Sequence, residues 1–268
     1  VWYCRNRAPT VFSETMQDRH VPVIGPHYWL VLAVATIFGA NMGDFLSQYL
    51  GLGTVLGMPI LAVALLVALL LERLDNRSDS KIWYWAAIVL IPIASTNLGD
   101  FAVAHGYSRR GLLVGLAILL VVTHFGGRSE AEHMLAMRLL TRPGQQARPL
   151  TDASYWVGMI VASTIGALIS DFCAYTLKLG PVESASILLG LLAASFGLHY
   201  LPNASRWLVH WLTIVLIRGA GTAIADVLVN DPHVRFGLPL STALAGVATA
   251  LLLMWPAERT ARHEPLPR

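Results

Sequence analysis

A sixteen-residue unit that opens on Trp and closes on Asp occurs four times in this chain: Trp29 to Asp44, Trp85 to Asp100, Trp156 to Asp171 and Trp211 to Asp226. The copies read WLVLAVATIFGANMGD, WAAIVLIPIASTNLGD, WVGMIVASTIGALISD and WLTIVLIRGAGTAIAD. Almost everything between the two end residues is apolar. Self-similarity of this kind restricts the chain to a repeat architecture, because each copy must fold in the same way and pack on its neighbours. Each copy is followed by a second, plainer apolar stretch, so the repeating element is a pair.

The pairs give eight apolar stretches, near 28–50, 54–72, 82–104, 111–125, 154–177, 182–200, 206–229 and 237–256. A spanning helix needs about 20 apolar residues. The fourth stretch is short and borrows length from snorkelling Arg109 and Arg110. Only 13% of the chain is charged, about half the share of a soluble domain. Hydrocarbon admits only helices or closed barrels, and the alternation of a strand is absent. The expected fold is therefore an all-α membrane protein of eight transmembrane helices, arranged as four tandem helical hairpins. Nine residues past each Asp stand Gly53, Arg109, Gly180 and Arg235. Copies one and three agree, and so do two and four, which predicts two pseudo-symmetric halves related by an axis along the membrane normal. The corresponding divisions are an N-terminal tail (1–26), a first half (27–125), a polar linker (126–152), a second half (153–256) and a C-terminal tail (257–268). Within the linker, Ala131 to Leu140 has the apolar content of a short interfacial helix.

The first, third, fifth and seventh helices then run the same way. Trp29, Trp85, Trp156 and Trp211 lie near one interface as anchors of an aromatic belt. The four Asp residues share a depth roughly 22 Å away, at 1.5 Å per residue. Fourteen of the nineteen Lys and Arg residues fall on the side of both termini, and four on the other. Positive residues stay cytoplasmic, so both termini are expected inside and the Asp residues toward the outside. The opening residues lack the basic-then-apolar plan of a signal peptide, and Met16 is the expected natural start.

An Asp inside a membrane helix costs about 2.5–3.5 kcal/mol on insertion scales and faces the bundle interior or water. These four also lie near helix C-termini, where the dipole disfavours an anion. A cation or a proton would compensate. Carboxylate, amide and carbonyl oxygens suit hard cations, so Asp44, Asp100, Asp171 and Asp226, with Asn41 and Asn97 one turn earlier, form the candidate ion- or substrate-binding set. Any metal would sit on the same Asp residues. Thr36, Pro92, Ser163 and Arg218, eight residues before each Asp, lie on the same helix face and could line a path. The competing reading is a salt-bridge set in which Arg218, Arg109 and Arg235 neutralise the carboxylates and fix the bundle, Arg218 most simply through Asp226. Small residues five and one before each Asp (Gly39 and Gly43, Ser95 and Gly99, Gly166 and Ser170, Gly221 and Ala225) read as close helix packing.

Other chemistry is sparse. Cys4 and Cys173 read as unpaired thiols. The nine His residues are scattered and read as solvated or interfacial. Glu183, at the start of the sixth helix, either joins the Asp residues or favours a helix N-terminus. No HExxH, GxSxG, Walker A or GxGxxG motif stands in a suitable context, so no enzyme and no nucleic-acid partner is expected.

Tandem two-helix repeats with this Trp–Asp spacing, the run Leu50-Gly51-Leu52-Gly53, and the stretch from Arg218-Gly219 to Asp226 resemble a bacterial membrane-protein family catalogued as a repeat of unknown function, the DUF347 type. The resemblance covers about residues 21–256 and implies the fold and a bacterial inner membrane, with no established activity. The sequence thus points to a small secondary transporter or exporter of a cation, divalent or proton-coupled, in contact with the lipid bilayer. The alternative is an accessory subunit of a membrane complex, or a homo-oligomer, held by Asp–Arg pairs.

Overall fold

In the computed structural model the described residues are 22, 24–74, 81–126, 153–201 and 205–255. The tails and the 126–152 linker, with the expected interfacial helix, fall almost wholly outside them. Eight α-helices account for nearly all of the described chain: α1 (Pro26–Asp44), α2 (Gly53–Leu74), α3 (Ile82–Ala104), α4 (Arg109–Gly126), α5 (Ala153–Asp171), α6 (Pro181–Leu198), α7 (Arg206–Asn230) and α8 (Gly237–Met254). No strand occurs among the described residues. Among the described residues seven helices are long and apolar enough to cross a membrane. The exception is α4, the expected fourth span. Its 18 residues open on Arg109 and Arg110, and the side chains at 124–126, its last turn, lie outside the described residues.

The four Trp–Asp helices form the interior. α1 packs on α3, α3 on α5, α5 on α7, and α7 on α1. Glycines permit the close approach. A Cβ at Gly39 would stand 2.5 Å from the Pro92 ring across the α1–α3 contact, and one at Gly221 would stand 2.7 Å from the Thr36 methyl across α7–α1. Without a hydrophobic force between helices in lipid, this backbone proximity supplies the attraction. The small-residue positions read from sequence are therefore the contacts of the inner ring.

The return helices do not form simple hairpins with the helices that precede them. α2 packs chiefly on α3, α4 on α5, α6 on α7, and α8 on α1. Each return helix thus covers the seam of the next copy, and the last closes onto the first. The apolar spans of α5 and α7 are 67% buried, against 22% for α6 and α8. Outer-helix residues such as Val63, Leu66, Ile118, Leu191, Val247 and Leu251 stay exposed, as lipid contact requires.

Copies one and three share their turn chemistry. A five-residue π-helical turn follows Asp44 (Phe45–Tyr49) and another follows Asp171 (Phe172–Thr176). Each leads to two left-handed residues, Gly51 and Gly53 in one copy and Lys178 and Gly180 in the other. Copies two and four do not share one turn: Gly106 is left-handed after α3, whereas Arg235 and Gly237 are left-handed after α7. The predicted agreement of copies two and four therefore does not extend to backbone conformation.

Candidate functional site

The residues that could carry function fall at two levels of the inner ring. At the C-terminal ends of α1, α3, α5 and α7 stand Asp44, Asp100, Asp171 and Asp226, all half-buried. Every pair among them interacts electrostatically: Asp44 with Asp100 and Asp171, Asp171 with Asp100, and Asp226 with the other three. Asp44 accepts a hydrogen bond from Gln48 Nε2 at 3.1 Å. Tyr175, on the π-helical turn after α5, lies in the field of Asp226, Asp171 and Asp44. Among the described residues no three His, Cys, Asp or Glu side chains are close enough to hold one metal ion. Glu183 is exposed in the first turn of α6.

The two asparagines differ in role. Asn41 donates to Ser241 Oγ at 2.6 Å and so ties α1 to α8. Asn97 donates to the carbonyls of Ile93 (3.1 Å) and Gly43 (3.5 Å). Its Oδ1 is buried without a donor, as is Ser170 Oγ without a partner. Asn97 thus presents a free acceptor oxygen one turn from Asp100, whereas the Asn41 amide is committed to packing.

Of the expected basic partners, only Arg109 reaches the carboxylates. It interacts electrostatically with Asp100 and Asp171, yet its Nε is buried and unbonded. Arg110 lies 5.8 Å from the Phe172 ring centre. Arg235 is exposed in the α7–α8 loop. The largest departure is Arg218, whose expected pairing with Asp226 does not form. Helical side chains lean toward the helix N-terminus, so Arg218 reaches away from Asp226. Its Nη1 donates to Thr36 Oγ1 at 2.8 Å, and the Thr36 hydroxyl in turn donates to Leu32 O at 2.7 Å. The ionisable groups in the surroundings of the guanidinium are Tyr28, Tyr84 and Tyr155.

Those tyrosines form the second level. Their hydroxyls are linked, Tyr28 to Tyr84 at 3.2 Å and Tyr84 to Tyr155 at 2.8 Å. Each immediately precedes a repeat Trp, and in copy four the position is taken by His210. An aromatic ring before every repeat Trp was the sequence signal for this cluster, and attention to Trp alone misses it. His210 is half-buried with its Nε2 unbonded, whereas His199 stays exposed; both rings lie against Trp29, at 5.6 and 6.1 Å between centroids, and His199 Nε2 meets Thr213 Oγ1 at 3.1 Å. The Trp residues themselves join this packing. Trp29, Trp85 and Trp211 are half-buried, and Trp156 is only 4% exposed, so its indole is a core residue.

The fold and these two levels define an integral membrane protein with several apolar helices and an internal repeat. The family described as Repeat of Unknown Function (DUF347) matches at residues 27–78 and 154–205. The chain thus carries this repeat at two places, which are copies one and three, the pair with the same turn. No curated protein and no solved structure matches.

Proposed function

We propose that this chain is a small secondary transporter or exporter of a cation, divalent or coupled to proton movement, which passes the ring at its four carboxylates. One observation carries the reading: Asp44, Asp100, Asp171 and Asp226 are half-buried in one another's fields, and Arg109 offsets that field at Asp100 and Asp171 alone. The negative ends of four helix dipoles add to that field. A cation or bound protons would offset it, and the free Asn97 Oδ1 adds a neutral oxygen ligand. The carboxylates interact without converging on a single metal centre, which favours passage over a tightly held ion. The chemistry is that of a carrier, not an enzyme. The Lys and Arg distribution supports cytoplasmic termini and a carboxylate end toward the outside of a bacterial inner membrane.

The test is flux in proteoliposomes, with Mn2+, Zn2+ and Na+ offered separately and internal pH recorded. Asp44→Asn and Asp100→Asn should abolish the cation or proton flux of the wild type while the protein stays folded. Wild-type rates in both variants would sink the proposal. The proximity of Arg109 to Asp100 and Asp171 favours a second reading, the accessory subunit held by Asp–Arg attraction. Under that reading the same variants lose thermal stability, and added cations do not protect the wild type.

A further inference from the structure

The carboxylate end leaves Arg218 unexplained. It is 1% exposed, the largest fully buried side chain among the described residues. An arginine stays charged at any physiological pH. Its position is seven residues past Trp211 and eight before Asp226, hence near mid-membrane. The cost of an uncompensated charge there is several kcal/mol. Five N–H donors need acceptors. The structure supplies Thr36 Oγ1 to Nη1, while Nε and Nη2 have no hydrogen-bond partner. Nε and Nη2 form one edge of the planar guanidinium, which matches two oxygens of a carboxylate, phosphate or sulfate.

The surroundings fit an anion. No carboxylate is among the ionisable groups in the surroundings of Arg218; those groups are Tyr28, Tyr84 and Tyr155, which are neutral phenols. Their hydroxyls are linked donor–acceptor groups and can reorient to donate to an incoming anion. The equivalent positions in the other copies are Thr36, Pro92 and Ser163, so the interior carries one positive charge here, in one repeat. The site is built around that residue. A Cβ at Gly166 would collide with Arg218 Cβ, and one at Gly221 would press on Thr36, so both glycines hold the arginine and its anchor in place.

We infer that Arg218, anchored by Thr36 with its Nε and Nη2 edge unbonded, is an oxyanion-binding site inside the inner ring, taking a small carboxylate or inorganic oxyanion through that edge. This goes beyond cation passage at the Asp residues and does not rest on it. The shared chemistry is the two-oxygen edge, which a free inorganic anion and the carboxylate of an organic substrate both offer.

The test uses the full chain in lipid nanodiscs, with thermal unfolding followed by Trp fluorescence. Acetate, succinate, phosphate and sulfate are titrated against chloride at constant ionic strength. At least one oxyanion should raise the wild-type Tm saturably, by roughly 5–10 °C at a hundredfold excess over Kd. Acetate or succinate alone would mark an organic carboxylate, and phosphate or sulfate an inorganic anion. Arg218→Gln should lose the shift and, without oxyanion, melt no lower than the wild type, because it removes an unpaired buried charge. Arg218→Lys keeps the charge and loses the two-donor edge, so its Kd should rise at least tenfold. The inference is overturned if no oxyanion moves the wild type beyond chloride. It is also overturned if Arg218→Lys binds as tightly as the wild type, or if Arg218→Gln is the less stable protein in chloride.

Discussion

Gly166 tests how the inner ring is held together. It lies on α5 where α7 crosses. A Cβ built there would collide with Arg218 Cβ and stand 2.7 Å from Val215 O and 2.8 Å from Gly219 N. Two of these are backbone atoms of a helix and cannot rotate aside, so α5 and α7 must separate. Overpacking of this kind costs about 1–3 kcal/mol, and fixed backbone neighbours place Gly166→Ala at the upper end. At roughly 2–4 °C per kcal/mol in larger domains, the Tm should fall by about 5–10 °C. Gly115 on α4 is the control, because nothing lies within 4 Å of its added Cβ. Helix propensity alone applies there, and Gly115→Ala should be neutral or stabilising by up to about 1 kcal/mol. Both proteins would be purified in the same detergent and melted side by side. If Gly166→Ala melts within a degree of Gly115→Ala, close backbone contact is not what holds α5 to α7.

Three further outcomes follow from particular contacts. Tyr84→Phe removes one hydroxyl of the linked tyrosine cluster, with its bonds to Tyr28 and Tyr155, and should lower stability by about 0.5–1.5 kcal/mol, while Tyr107→Phe, at an exposed hydroxyl, should change nothing in the same melt. Asn41→Ala breaks the bond to Ser241 that ties α8 to α1 and should cost about 0.5–2 kcal/mol; protease nicking of the α7–α8 loop should rise in parallel, and an unchanged nicking rate would argue against that closure. For the carboxylate end, Asp226→Asn should reduce flux as Asp44→Asn does, because each Asp stands in the field of the others; full flux in Asp226→Asn would remove copy four from the path.

The two candidate levels differ in how far the sequence reveals them. The carboxylates were legible because their spacing from Trp is constant and a membrane helix rarely tolerates Asp. The tyrosines were equally regular, yet an aromatic ring near an interface has an ordinary explanation in the lipid belt, and only the linked hydroxyls separate the two cases. Asn41 and Asn97 occupy equivalent positions and look alike in sequence. One meets Ser241 of α8 and the other keeps a free oxygen, because their neighbours come from different repeats. Arg218 stood in register with Asp226, two turns apart, so pairing was the natural expectation. The N-terminal lean of helical side chains turns it toward Thr36 and the tyrosines instead.

The sequence by itself determined which segments are helices, where they stop, which faces carry small residues and that the unit repeats. These are local consequences of a backbone that must satisfy its own hydrogen bonds in hydrocarbon and of side chains that recur at helical spacing. Only the tertiary structure decided which helix lies against which. Each return helix offers an apolar surface that suits its own repeat and the next almost equally, and lipid adds no hydrophobic preference between them. The choice falls to close contacts and a few interhelical hydrogen bonds, such as Asn41 to Ser241, which joins residues two hundred positions apart and leaves no periodic trace in the chain.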